Sequence, residues 1–153
     1  LRRLDAEVLI DAINQLTGSS EKYSSAIPEP FTFIPEGSRS ITLPDGSITS
    51  SFLELFGKPS RDTGLESERN NRITASQRLH LLNSAHIQKK IDKGPALAAL
   101  IGSSKRHREV VEDLFLTILS RYPTQEEIAE AEIPSLVDIA WALINNEEFL
   151  CRH

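Results

Sequence analysis

Val111, Leu114, Phe115 and Ile118 recur at three- and four-residue spacing, and Leu136 to Ile144 repeats the apolar pattern after a short break. Such stripes mark amphipathic helices with one face turned to a core. Two stripes joined by so short a connection must lie side by side. Phe115, Ile118, Ile139 and Leu143 are therefore expected to form one seam. Trp141 falls among Val137, Ala140 and Ile144 and is expected in the core.

The punctuation around these stripes is equally specific. Ser104 is placed to cap the first helix, and Tyr122-Pro123 stops it. Thr124-Gln125-Glu126-Glu127 and Thr74-Ala75-Ser76-Gln77 are capping boxes, each pairing a threonine with an acid or amide three residues on. Asp5 has the position of an N-cap for a helix over 5–17, whose stripe is Leu9, Ala12, Ile13 and Leu16 and whose end is Gly18. Leu79, Leu82, Ile87 and Ile91 predict a further apolar face, with a break near Asn83-Ser84. Short helices are expected at 51–56 and 96–101. Between 19 and 50, Pro28, Pro30, Pro35 and Pro44 exclude a long helix. There, Ile41-Thr42-Leu43 and Ile48-Thr49 flank Pro44-Asp45-Gly46-Ser47, the composition of a small β-hairpin. The fold class is thus mainly α: a single compact helical domain over 1–153, of about six helices, with a Pro-rich irregular excursion at 19–50 that has room for a hairpin.

Composition narrows the function classes. A chain of 153 residues, 39 % hydrophobic and 25 % charged, is one domain able to bury roughly 70 % of its unfolded surface. One cysteine excludes a disulfide scaffold, and no apolar run approaches the roughly 20 residues of a membrane span. The formal charge of −5 is unevenly spread: residues 58–93 are net +4, between flanks of −4 and −5. Opposite charges of this kind assemble segments. The basic stretch has no aromatic side chain for base stacking, so no nucleic-acid partner is expected. The chain starts Leu1-Arg2-Arg3 and contains no methionine, as expected of the C-terminal fragment of a larger protein.

The four histidines, His80, His86, His107 and His153, are scattered. His80 and His86 would lie on different faces of a straight helix. With no Cys-x-x-Cys, no metal site and no cofactor are expected in this chain. The most polar segment runs from Arg61 to Arg78. Arg61, Glu66, Glu68, Arg69, Arg72 and Arg78 are the candidate binding residues, because guanidinium forks grip carboxylate or sulfate with two bonds. An acidic carbohydrate or another anion is the ligand class this chemistry admits. A catalytic alternative uses Glu66 or Glu68 as acid/base on a glycosidic bond. The plainer reading ties a loop to the helical body by Arg–Glu pairs, with acids from the flanks completing the pairing. Arg121, between two helices, is similarly expected to form a clasp with Glu127, Glu147 or Glu148.

Six stretches carry a family resemblance: Arg2-Arg3-Leu4-Asp5-Ala6-Glu7, Phe56-Gly57-Lys58-Pro59-Ser60-Arg61, Glu66-Ser67-Glu68-Arg69, Gln77-Arg78-Leu79-His80-Leu81-Leu82-Asn83-Ser84, Arg121-Tyr122-Pro123-Thr124 and Trp141 to Phe149. In this order they resemble the planctomycete-type secreted domain of unknown function. That domain stands at the C-terminal end of large bacterial proteins that often carry cytochrome c-like modules. Many members have Cys-x-Cys before the Glu-Arg pair; here those positions are Leu65 and Ser67, so no metal or redox role carries over. The resemblance implies an extracytoplasmic location, at the periplasm or cell surface. It implies, as partners, the other domains of the same full-length protein. The leading expectation is a non-catalytic binding or interaction module. The alternatives are an enzyme domain acting on polysaccharide and a scaffold docking a haem-bearing module of the same polypeptide.

Overall fold

The computed structural model describes residues 2–25, 27, 33–43, 48–58, 69, 70 and 72–152. The chain is mainly helical. In order come β1 (Arg2–Arg3), α1 (Ala6–Thr17), β2 (Ser24–Ser25), a 3-10 turn (Ser40–Thr42), β3 (Ile48–Thr49) and α2 (Ser51–Leu55). Then follow α3 (Ala75–Asn83), α4 (Ala85–Lys93), α5 (Pro95–Ile101), α6 (His107–Leu119), α7 (Gln125–Glu130), α8 (Leu136–Ile144), α9 (Glu147–Leu150) and β4 (Cys151–Arg152). Two antiparallel two-residue ladders, β1 with β4 and β2 with β3, close the chain on itself. Among the described residues no helix is long and apolar enough to cross a membrane.

The seam read from the two stripes forms. α6 packs against α8, and Phe115, Ile118, Ile139 and Leu143 are all buried. Trp141 is half-buried, packed on the edge of that core. Both threonine capping boxes form, at Thr74–Gln77 and Thr124–Glu127. Two other caps differ. α6 starts three residues past Ser104, at His107, because the Glu109 carboxylate accepts the Arg106 backbone N–H at 3.1 Å and fixes the start there. Asp5 is the N-cap of α1 by backbone geometry, but its carboxylate makes no capping bond and faces Arg2 at 3.9 Å.

α1 is the central helix, in contact with α2, α4, α5 and the 3-10 turn. Its buried surface is wider than one stripe and includes Ile10, Glu7 and Asp11. Burying a carboxylate requires donors. Asp11 obtains them from the backbone N–H groups of Ser40 and Ile41, at 2.7 and 3.1 Å. This capping interaction winds 40–42 into a 3-10 turn. The expected strand at 41–43 is therefore absent, and Ile48–Thr49 pairs instead with Ser24–Ser25. The turn residues 44–47 lie outside the described residues.

The break near Asn83-Ser84 is real: Ser84 ends α3 and caps α4 through the Ile87 N–H. The inward face of α3 is not the one expected. Leu79 is 58 % exposed, whereas Leu81 and Gln77 are buried. The Gln77 side chain sets this rotation, donating from Nε2 to the Leu55 carbonyl at 2.9 Å. Leu81, one turn on, then meets the core.

Candidate functional site

Of the six candidate binding residues, Arg61, Glu66 and Glu68 lie outside the described residues, and with them the carboxylates of the polysaccharide-enzyme alternative. The other three go to different places. Arg69 reaches back 62 residues to α1, where Nη1 and Nη2 donate to the two Glu7 carboxylate oxygens at 2.7 and 3.3 Å. Arg78 sits on the outer side of α3, 3.2 Å from Glu147 with both side chains exposed. Arg72 is exposed, and its backbone N–H donates to Asn70 Oδ1. Acids from both flanks thus complete the pairing of Arg69 and Arg78.

The residue that organises this region is Arg3. It is 1 % exposed. Its guanidinium donates to the carbonyls of Leu4, Phe56 and Asn70 and lies over the Phe56 ring, 5.1 Å from the centroid. No carboxylate stands within ion-pair distance among the described residues, and Nε has no hydrogen-bond partner. Burial pushes the Arg3 guanidinium below its ordinary pKa, opposed by the more distant Asp5, Cys151 and Glu7. Gly57 makes the carbonyl cradle possible. It has φ +85°, and a Cβ there would stand 2.0 Å from the Asn70 carbonyl oxygen. Only glycine accepts both the left-handed backbone and that approach, and Asn70 N–H then bonds to the Gly57 carbonyl at 3.2 Å.

Above this centre opens a cleft of about 140 Å³. Phe56, Leu81 and Leu150 give it apolar walls; Arg3, Gln77, Arg78, Asn145 and Glu147 give it polar ones. Ile73 and Leu82, which also line it, are exposed. Four of the six stretches quoted for the family resemblance meet here, through Arg3, Phe56-Gly57, Gln77-Arg78 and Glu147. Nothing in the local spacing of Arg3 or Gln77 marks them as site residues. Their partners lie 53 and 22 residues away and are backbone carbonyls, which every residue carries.

A second cluster is structural. Arg121 bridges Glu127, at 2.7 Å, and Glu148, at 2.8 Å, tying α7 to α9, and lies over the Phe115 ring. Glu147, the other expected partner, pairs with Arg78 instead. The hydrogen bonds that Arg121 donates to Glu127 and Glu148 raise it above its ordinary value. Hydrogen bonds from Arg121 pull the Glu127 carboxyl down to about 2 from an ordinary 4.5. A depressed carboxyl stabilises the fold above its unfolded value and loses that contribution as pH falls toward the folded one. With about a third of each side chain exposed, water screening limits the gain to about 1 kcal/mol. Glu127→Gln is therefore expected to lower the urea midpoint at neutral pH, and the gap to the parent should close between pH 4.5 and about 2. A gap independent of pH would contradict the clasp.

The third cluster arises from the helix break. His80 and His86 share no face of a straight helix, yet the bend at Ser84 brings their rings to 6.2 Å, edge-on to each other and to Phe52. Burial and the neighbouring His86 hold His80 below its ordinary value, and its Nε2 has no partner among the described residues. His86 Nε2 and Lys90 Nζ both contact Glu21 Oε1 at 2.7 Å. Burial pushes Glu21 up, but those hydrogen bonds outweigh it and keep the carboxyl below its usual range. Among the described residues no three His, Cys, Asp or Glu side chains converge as a metal site requires.

Fold and cleft together define a small helical module. A family model for PSD1, a protein of unknown function (DUF1553), matches residues 1–133, and the chain belongs to this family. No curated protein and no solved structure matches it significantly.

Proposed function

We propose that the chain is a non-catalytic binding or interaction module of a larger exported bacterial protein, and that the cleft beside α3 engages its partner. The carrying observation is the surface itself. Exposed Ile73 and Leu82 line a cleft with an apolar wall and a rim of amides and an Arg78–Glu147 pair. Apolar area rimmed by polar groups is the make-up of an interaction patch rather than of a solvated helix face. Among the described residues, the carboxyls shifted from their ordinary values, Glu21, Glu109 and Glu127, are all lowered. They are ionised partners of cations, which suits ion pairing and not general-acid work.

The family resemblance supplies the context: a domain at the C-terminal end of an extracytoplasmic protein with cytochrome c-like modules elsewhere. In this reading the partner is another domain of the same polypeptide, and this domain brings no cofactor of its own. Hydrogen exchange tests it. Residues 75–83 should exchange more slowly in the full-length protein than in the 153-residue chain, and Leu82→Asp should abolish the difference. Equal exchange in both would refute the reading.

A further inference from the structure

We infer that the cleft beside α3 is a subsite for a single carboxylate group carrying a short apolar tail. The inference rests on the reading that this cleft binds, and adds what it binds. Arg3 supplies the reason. A guanidinium buried to 1 % exposure normally stands against a carboxylate, because neutral acceptors alone leave its charge uncompensated. Here every acceptor it meets among the described residues is a neutral carbonyl, and Nε is unfilled. A fixed positive charge therefore lies in the wall of the cleft, shielded from water and salt. Buried charge of this kind is screened far less than surface charge.

The opening supplies the donors. Asn145 uses one Nδ2 hydrogen on the Trp141 carbonyl, at 2.9 Å, and keeps the other. Gln77 similarly spends one Nε2 hydrogen on Leu55. Arg78 is exposed and holds Glu147 by one contact at 3.2 Å. Glu147 is the internal counterpart of the proposed ligand: a carboxylate already seated at the rim, exposed and free to be displaced. It is also the group that opposes a second anion. The size of the cleft, about 140 Å³, is well below the roughly 300 Å³ at which drug-sized sites begin. It admits a carboxylate with a few methylenes, such as an acidic side chain or a short free acid. The tail would lie against Ile73 and Leu82, the exposed apolar residues of the cleft.

Titration of the isotopically labelled 153-residue chain, followed by nuclear magnetic resonance, tests this. Butanoate should produce saturable shifts of the Gln77 and Asn145 side-chain amides, and butanamide should not. Glu147→Gln should tighten butanoate binding, and Arg78→Gln should weaken it, each by about threefold. Both positions are exposed, so both variants should fold. Butanamide acting like butanoate, no saturable shift at any soluble concentration, or unchanged affinity in Glu147→Gln would each overturn the inference. Acetyl-Ala-Glu-Ala-amide against its Gln counterpart separates the sources. Tighter binding than butanoate names a protein side chain; the reverse order names a free acid. Protection of α3 in the full-length protein without butanoate binding would leave the docking reading standing and this one refuted. Butanoate binding without that protection would do the opposite.

Discussion

Arg69→Ala should cost about 3–5 kcal/mol of unfolding free energy, the range for removing one member of a buried ion pair. The Arg69 and Glu7 side chains are 16 % and 9 % exposed and meet through two parallel hydrogen bonds. Truncating the arginine leaves the Glu7 carboxylate in the face of α1 with its counter-charge gone. Most of the loss is that stranded charge rather than the net worth of the pair. Removing both, in Arg69→Ala with Glu7→Gln, should therefore cost less than Arg69→Ala alone. Urea denaturation of the two single variants and the double variant measures this. A single variant that melts like the parent would show the pair to be incidental and return Arg69 to the list of residues available to a ligand.

Phe56→Ala should cost about as much, roughly 3–5 kcal/mol for a buried aromatic ring. Phe56 has no exposed surface, stacks on Phe52 with centroids 4.2 Å apart, and lies under the Arg3 guanidinium. Its loss removes packing on both ring faces and takes away one wall of the cleft. Phe33→Ala is the control. That ring is 68 % exposed, and surface truncations of this kind stay within about 0.5 kcal/mol. If both variants unfold at the same denaturant concentration, the stacked pair is not part of the core.

What the sequence made legible follows from the range of the interactions. The α6 and α8 seam, the two threonine capping boxes and the Arg121 clasp are written in spacings of three to about thirty residues. Each requires a residue type that is uncommon by chance at that offset. Arg3, Glu7 and Gln77 are different. Glu7 looks like an ordinary first-turn acid, and its partner lies 62 residues on. Gln77 was visible as half of a capping box, but its other bond, to the Leu55 carbonyl, turns α3 so that Leu79 faces outward and Leu81 inward. A periodicity reading cannot see that rotation, because on a helix with leucines at 79, 81 and 82 several faces are apolar enough to be chosen. The same holds for 40–42, where one carboxylate on α1 replaced a strand by a turn. His80 and His86 come together because the helix breaks at Ser84, whereas their six-residue spacing separates them only on a straight helix.

The pairing of β1 with β4 has a mechanical consequence. Arg2 stands opposite Arg152 and Arg3 opposite Cys151, and the Leu4 N–H continues the contact to the Leu150 carbonyl at 2.9 Å. The two outermost residues thus sit at the same end of the ladder. Tension applied between residues 2 and 152 acts along the inter-strand hydrogen bonds and opens them in turn, like the teeth of a zip, instead of shearing them together. Arg3 is in that ladder. The first rungs to part would draw its guanidinium away from the Phe56 and Asn70 carbonyls, so that stretching the chain would dismantle the cleft before the α6–α8 core felt the load.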